Sequence, residues 1–355
     1  MRTELFVIDP YNVNNHEKEL KNAAEIIKCG GLVAFPTETV YGLGGDGTNP
    51  DAANRIYSAK GRPSDNPLII HIANPSDAEK YTFTSDLFYK LAERFMPGPL
   101  TVVLNAKDTV PMQTRGGLTT VAVRCPINPI ARKLIELSEC PIAAPSANLS
   151  GSPSPTSASH VIDDMNGRID AIIDGGDCEI GLESTIVKIE DDNSLTLLRP
   201  GKITVNELAC VAPVSIASAV TAELAVGEVA LSPGMKYRHY APKAPLVLID
   251  AELNKFADYI KEIDEKNVAV ISFSDDAEFI RMKLSEVDIY LLGAKDNINE
   301  QASHLFSILR QVDRQGYTRI YAPVPSKDGV GLALYNRMIR AAAHNIIDLR
   351  EERNG

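Results

Sequence analysis

Four cationic side chains stand where a helix or a strand gives out: Lys60 and Arg62 in ANRIYSAKGRPSDN, Arg124 in TTVAVRCP and Arg199 in LTLLRPG. Lysine supplies a point charge and arginine a planar fork, a combination suited to an anion with several oxygens, such as a polyphosphate or a carboxylate. Lys-x-Arg alone also describes an ordinary solvated loop. What favours a ligand is its place between a helix and the strand PLIIHI, with Ser64, Asn66 and His71 close by. Arg124, at the end of an apolar strand, needs an anionic partner, which can be a substrate or a structural carboxylate. Thr120 shares its strand face by two-residue alternation. Further hydroxyls and amides lie in PSANLSGSPSPT, with Ser146, Asn148, Ser150, Ser152 and Ser154, and in GLESTIV, with Ser184 and Thr185. His71 by itself reads as a half-buried strand histidine.

These groups need elements to hold them. The stretch LVAFPTETVYGLGGDG runs as a strand from Leu32 to Phe35 and stops at Pro36, which has no N–H for a sheet ladder. The remainder, with Thr39 and the glycines 42, 44, 45 and 47, reads as a turn that carries a site. Apolar spacing predicts helices over 16–29, 85–95 and 129–138, and a short one begins near Asp51 and ends at the Lys60/Arg62 pair. The strand IAAP leaves into the long Ser- and Pro-rich loop as LVAF leaves into PTET, so both can reach one ligand-binding sheet edge. Near residue 210 the texture changes, and SPGMKYRHYAP sets Lys236, Tyr237, Arg238, His239 and Tyr240 between prolines, which we read as a linker that touches ligand. Beyond it, LVLID, NVAVIS, VDIYLLG and RIYAP alternate with helices, the last over 329–346. Four such apolar strands imply a small parallel three-layer α/β domain, and it contains no Gly-rich phosphate loop. Asp275 and Asp276 sit at a helix N-terminus, where carboxylates are stabilising.

The 355 residues, 44% apolar and 23% charged, suit two globular domains. No run of about 18 apolar residues is present, and MRTELFVIDPYNVN lacks signal-peptide architecture, so we expect a cytoplasmic protein. Five dispersed cysteines without a C-x-x-C pair predict buried thiols rather than disulfides or a zinc site. A net charge of −11 and 6% aromatic content argue against a surface built for nucleic acid. No metal-ligand cluster, Ser-His-Asp or Cys-His set stands out. The inventory fits a nucleoside triphosphate whose magnesium ion is carried by the phosphates, with catalysis by positioning and charge stabilisation.

In this order, FPTETVYGLGGDG, SAKGRPSDNPLIIHI, PSANLSG, STIV and LRPG resemble the YrdC-like domain of threonylcarbamoyl-AMP synthases. The linker and the α/β tail resemble the two-domain form. The resemblance implies an α/β chain: a YrdC-like twisted open sheet with helices over 1–212, a linker contacting the active site over 213–243, and a smaller Rossmann-like domain over 244–355. It implies condensation of L-threonine, bicarbonate and ATP to threonylcarbamoyl-AMP and pyrophosphate, with Mg2+ accompanying ATP. The product would pass to a tRNA-modifying transferase complex that makes N6-threonylcarbamoyladenosine. By resemblance, Thr39, His71, Arg124, Ala144 through its backbone, and Ser184 hold threonine. Lys60, Arg62, Asn66, Thr120, Ser146, Asn148, Ser154, Arg199 and Tyr237 surround ATP, with Lys60 and Arg62 catalytic on the triphosphate. Glu38 and Tyr41 are expected to give packing or hydrogen-bond support. One rival is an RNA-binding module without adenylate chemistry. Another, a hydrogenase-maturation carbamoyl transferase, would show an acylphosphatase segment and cysteine pairs that are not visible here.

Overall fold

The computed structural model describes residues 2–222 and 240–350. They fall into two compact units, one of residues 2–150 and 154–222, the other of 151–153 and 240–350. Tyr237 and its neighbours Lys236, Arg238 and His239 lie outside the described residues.

The strands of the first unit are β1 (Glu4–Val7), β2 (Val33–Phe35), β3 (Gly42–Asp46), β4 (Ile69–His71), β5 (Leu100–Asn105), β6 (Thr120–Arg124), β7 (Ile142–Ala143), β8 (Ala171–Asp174), β9 (Thr185–Ile189), β10 (Leu195–Arg199) and β11 (Val214–Ile216). Its helices are α1 (Glu17–Lys28), α2 (Pro50–Lys60), α3 (Asp86–Phe95), α4 (Met112–Arg115), α5 (Pro129–Ser138), α6 (Ala158–Met165) and α7 (Val205–Ala209). The strands form one mixed sheet in the order β1-β8-β2-β3-β7-β4-β6-β5-β9-β10-β11. Residues 214–216, assigned from sequence to the linker, pair in parallel with β10 as the edge strand.

Local chemistry sets the ends of the elements that matter. In α1, Leu20, Ala23, Ala24 and Ile27 are buried at helical spacing and pack with α5, β2 and β8. Helix α2 starts at Pro50, its Asn49 side chain accepting from the N–H groups of Asp51 and Ala52, and it stops at Gly61 with φ +62°. That stop makes Lys60 the last helical residue. The loop expected after β7 runs irregularly to Ser157, which caps α6 by accepting from the N–H of His160; that helix was not read from the sequence.

The glycine-rich stretch departs from the expected turn. Gly42–Asp46 is β3, antiparallel to β2 on one side and β7 on the other, and the turn is confined to residues 36–41. None of Gly42, Gly44, Gly45 and Gly47 has a left-handed φ. Their small size is what the sheet uses: a Cβ on Gly44 would lie 2.7 Å from both the Phe35 ring and Ile142 Cγ2. A Cβ on Gly47 would lie 2.9 Å from the Pro141 carbonyl oxygen.

In the second unit β12 (Leu246–Asp250), β13 (Val268–Phe273), β14 (Asp288–Gly293), β15 (Arg319–Pro323) and β16 (Ile346–Asp348) form a parallel sheet in the order β14-β13-β15-β12-β16. Helices α8 (Leu253–Ile263), α9 (Ala277–Lys283), α10 (Ile298–Gln315) and α11 (Gly331–Ala341) connect them. Five strands replace the four read from sequence. The expected helix to residue 346 ends at Ala341 because Ala343 and His344 take left-handed φ values of 48° and 60°, freeing residues 346–348 to pair with β12. Tyr240, read as part of the ligand-touching linker, is buried and stacks on Phe306 of α10, with ring centroids 5.0 Å apart.

Replacing Gly44 with alanine forces Phe35 and Ile142 apart and is expected to destabilise the chain by about 1–3 kcal/mol, measurable by thermal or denaturant unfolding.

Candidate active site

Sheet register assembles one end of the site. His71 of β4 and Thr101 of β5 both lie opposite Arg124 of β6, so three adjacent strands present them side by side. The turn after β2 brings in Glu38, whose Oε1 accepts from Arg124 Nη2 at 2.7 Å, with side-chain exposures of 4% and 5%. The turn is held by Thr37 Oγ1, which donates to Val40 O at 2.6 Å and lies 2.9 Å from Thr39 Oγ1. The N–H groups of Ile180 and Gly181 donate to the carbonyls of Glu38 and Thr39. Ser184 Oγ is 2.8 Å from Thr101 Oγ1. Arg199 donates to Ser184 Oγ at 3.1 Å and to its carbonyl at 3.0 Å. Ser154 Oγ donates to Glu183 Oε1 at 2.5 Å.

A second group gathers around the end of α2. Lys60 Nζ donates to the carbonyls of Ser146 and Asn148 at 2.5 and 2.6 Å, while Ser150 N–H donates to Lys60 O. Ser146 Oγ donates to Asn148 Oδ1 at 2.5 Å. Arg62 donates from Nε and Nη2 to Asn66 O and from Nη2 to Pro67 O, fixing the approach to β4. Asn66 is buried, and its Oδ1 has no hydrogen-bond partner among the described residues. Thr120 opens β6 and Arg124 closes it, so the two stand roughly 13 Å apart at about 3.3 Å per residue. Ala144 falls between, its N–H donating to Ile69 O at 2.9 Å. The outcome is a polar track with Lys60, Arg62, Asn66, Thr120, Ser146 and Asn148 toward one end and Thr39, His71, Arg124 and Ser184 at the other.

Burial, and secondarily the Arg124 charge, pushes His71 down from 6.5 to about 3. Its Nδ1 lies 3.3 Å from Ile142 O, an acceptor only, so the neutral ring donates from Nδ1 and leaves Nε2 as an acceptor. Tyr41 donates to Gly176 O at 2.7 Å, and burial raises its phenol far above the ordinary range, making it a brace. Burial likewise pushes Cys125 up to about 11 and raises Cys178 strongly, so both are quiet thiols. Cys29 and Cys210, expected to be buried, are exposed because they follow the helices α1 and α7 at the surface.

Arg199, grouped with the nucleotide contacts from sequence, bonds to Ser184 at the Arg124 end. Glu38 belongs to the site as the partner of Arg124. Glu183 and Thr101 were missed; the only signal was a polar side chain inside or beside an otherwise apolar strand. Among the described residues no three His, Cys, Asp or Glu side chains converge as a metal group, and no helix is long and apolar enough to cross a membrane.

A mixed-sheet unit with a buried, cation-bearing track, followed by a parallel α/β unit, defines a two-domain Sua5-type fold. The Sua5/YciO/YrdC family model, described as telomere recombination, matches residues 25–201, and that for the threonylcarbamoyl-AMP synthase C-terminal domain matches 203–343. A threonylcarbamoyl-AMP synthase of Pyrococcus abyssi is 44% identical over 350 residues, spanning 93% of this chain and 96% of that protein. One from Bacillus subtilis is 40% identical over 353 residues, spanning 98% and 100%. The crystal structure of P. abyssi Sua5 complexed with L-threonine matches with a TM-score of 0.89 at 42% identity, covering 98% of this chain and 100% of that one. The chain belongs to the threonylcarbamoyl-AMP synthase family, in its two-domain form.

Removing one partner of the buried ion pair strands the other. Arg124→Leu is expected to cost about 3–5 kcal/mol, most of it recovered in the Glu38→Leu/Arg124→Leu double variant, as read by denaturant unfolding. His71 gives a pH signature. Between roughly pH 6.5 and 3 the unfolded chain binds a proton that the folded His71 does not, so stability falls as pH falls through that window. Its share of the slope approaches about 1.4 kcal/mol per pH unit, and His71→Gln should flatten the curve measured between pH 7 and 4 by that amount.

Proposed function

We propose that this chain is an L-threonylcarbamoyladenylate synthase, a nucleotidyltransferase that uses L-threonine, bicarbonate and MgATP. The observation that carries this reading is the polar track. One end holds a buried carboxylate and guanidinium side by side, complementary to an amino-acid zwitterion. The other, toward the Thr120 end of β6, carries Lys60 and Arg62. The relative crystallised with L-threonine supports the same assignment.

In this reading the substrate carboxylate pairs with Arg124, while Thr39, Ser184, the Ala144 carbonyl and His71 Nε2 surround the rest of threonine. The N–H of Ala144 is already used by Ile69 O, so its contact to a ligand runs through the carbonyl. Lys60, Arg62, Asn66, Thr120, Ser146, Asn148 and Ser154 serve ATP, with Arg199 reaching it from its place beside Ser184 at the Arg124 end, and magnesium enters with the phosphates as part of that substrate. Tyr237 completes the nucleotide contacts in this proposal.

The amine displaces hydroxide from bicarbonate, giving N-carboxythreonine and water. The new carboxylate then attacks the α-phosphate, and pyrophosphate leaves. Negative charge gathers on the triphosphate during that step, and Lys60 and Arg62 are the fixed cations placed to stabilise it. Lys60 is held by two carbonyls, so it needs no rearrangement to act as a fixed charge, and it orders the 146–150 loop at the same time. The adenylate is then consumed by a transferase that installs N6-threonylcarbamoyladenosine in tRNA. A net charge of −11 supports small-molecule work by this chain rather than RNA binding of its own. Release of the product in an aqueous compartment accords with a cytoplasmic location.

The test is pyrophosphate release with each substrate omitted in turn. Release is expected only when threonine, bicarbonate and MgATP are all present, and tight tRNA binding without it would sink the proposal. Lys60→Met and Arg62→Ala should each lower kcat by about 10²-fold, and unchanged rates in both would remove the triphosphate role.

A further inference from the structure

We propose that Glu38 is the residue that receives the substrate amine, its Oε2 accepting a charge-assisted hydrogen bond from the ammonium and then taking one of its protons. This rests on the reading of the site as a threonine site. Glu38 is buried, and Arg124 occupies only Oε1, leaving Oε2 buried and without a hydrogen-bond partner among the described residues. Arg124 Nε is in the same condition. A buried polar atom without a partner is costly, and here two such atoms of opposite charge belong to one ion pair. An α-amino acid zwitterion completes both, its ammonium meeting Glu38 and its carboxylate meeting Arg124. An anion lacking the amine would satisfy Arg124 and face Glu38 as a like charge, so the pair selects amino acids over hydroxy acids.

The neighbouring groups leave Glu38 as the base. Arg124 on β6 is its cationic partner. His71 on β4 is neutral and commits Nδ1 to Ile142 O. Cys125 after β6 and Cys178 before β9 are thiols held protonated by burial. Glu183, also buried, accepts from Ser154 at Oε1. In the step itself an N–H bond of the ammonium breaks, its electron pair stays on nitrogen, and the proton bonds to Oε2. The free amine forms the C–N bond to the bicarbonate carbon. Hydroxide leaves with a second nitrogen proton as water, so one net proton, held on Glu38, is returned to solvent.

Glu38→Gln preserves the shape and an oxygen for Arg124 but cannot take a proton. At pH 7 it is expected to raise the KM for threonine about tenfold to a hundredfold, the worth of a hydrogen bond to a charged group, and to lower kcat about 10²-fold, with the KM for ATP unchanged. Raising the pH until free threonine carries an uncharged amine should restore much of the variant's kcat, with no comparable gain in the unmodified enzyme, and Glu38→Asp should retain part of the activity at pH 7. Wild-type kinetics in Glu38→Gln, or a loss that shifts the ATP KM equally and ignores pH, would overturn the proposal. Should the variant fail to fold in a thermal melt, the unmodified protein decides: 2,3-dihydroxybutanoate, threonine with hydroxyl in place of amine, should bind at least tenfold more weakly than threonine by calorimetry. Equal affinity overturns the role of Glu38. Absence of threonine-dependent pyrophosphate release in the unmodified enzyme would instead defeat the functional reading, while the calorimetric comparison would still report on the amine contact.

Discussion

The buried ion pair between Glu38 and Arg124 is the constraint around which the first unit is arranged. It joins residues 86 positions apart, one in the turn after β2 and one at the end of β6, with β3, β7 and β4 between these strands in the sheet. Bringing two charges out of water is tolerable only when their geometry is fixed and their remaining atoms find partners. The turn is fixed accordingly, by Thr37 within it and by Ile180 and Gly181 from the segment before β9. The protein leaves one carboxylate oxygen and one guanidinium nitrogen of the pair without a partner among the described residues, and the proposed amino-acid contacts are built on these two atoms.

The same economy appears at the other end of the track. Lys60 is a helix-terminal residue whose ammonium closes the loop after β7, so the charge proposed to act on phosphate also shapes the wall beside it. Arg62 performs the matching task for the segment before β4. For both cations these bonds run to neutral carbonyls, which fix position without themselves cancelling charge. At the Arg124 end, by contrast, a carboxylate is paired with the cation.

Glycine serves the site through volume. With β3 packed between β2 and β7, the face of Gly44 is occupied by Phe35 and Ile142, and Gly47 lies against the Pro141 carbonyl. A side chain there would push β7 away from β3 and carry with it Ala144 and the loop that Lys60 holds. The strand therefore matters for function although none of its residues is among the proposed ligand contacts.

Much of this was legible in the chain itself. Helical spacing gave α1, α3 and α5 nearly to the residue because their apolar faces and caps are local properties, and the ordered motifs identified the family. The cations were visible too, since an arginine at the end of an apolar strand announces an unmet electrostatic need. Local pattern could not distinguish a glycine turn from a glycine strand, because both lack side chains and only the neighbouring Phe35 and Ile142 decide between them. Nor could it find β16, whose pairing depends on β12 nearly a hundred residues earlier and on left-handed residues that are not glycine. The sequence by itself determined which charges this protein carries and which strands deliver them. Only the tertiary structure decided that Glu38 answers Arg124 and that Lys60 answers two carbonyls, because a charge partner is chosen by distance in space and by burial, neither of which is written in spacing along the chain.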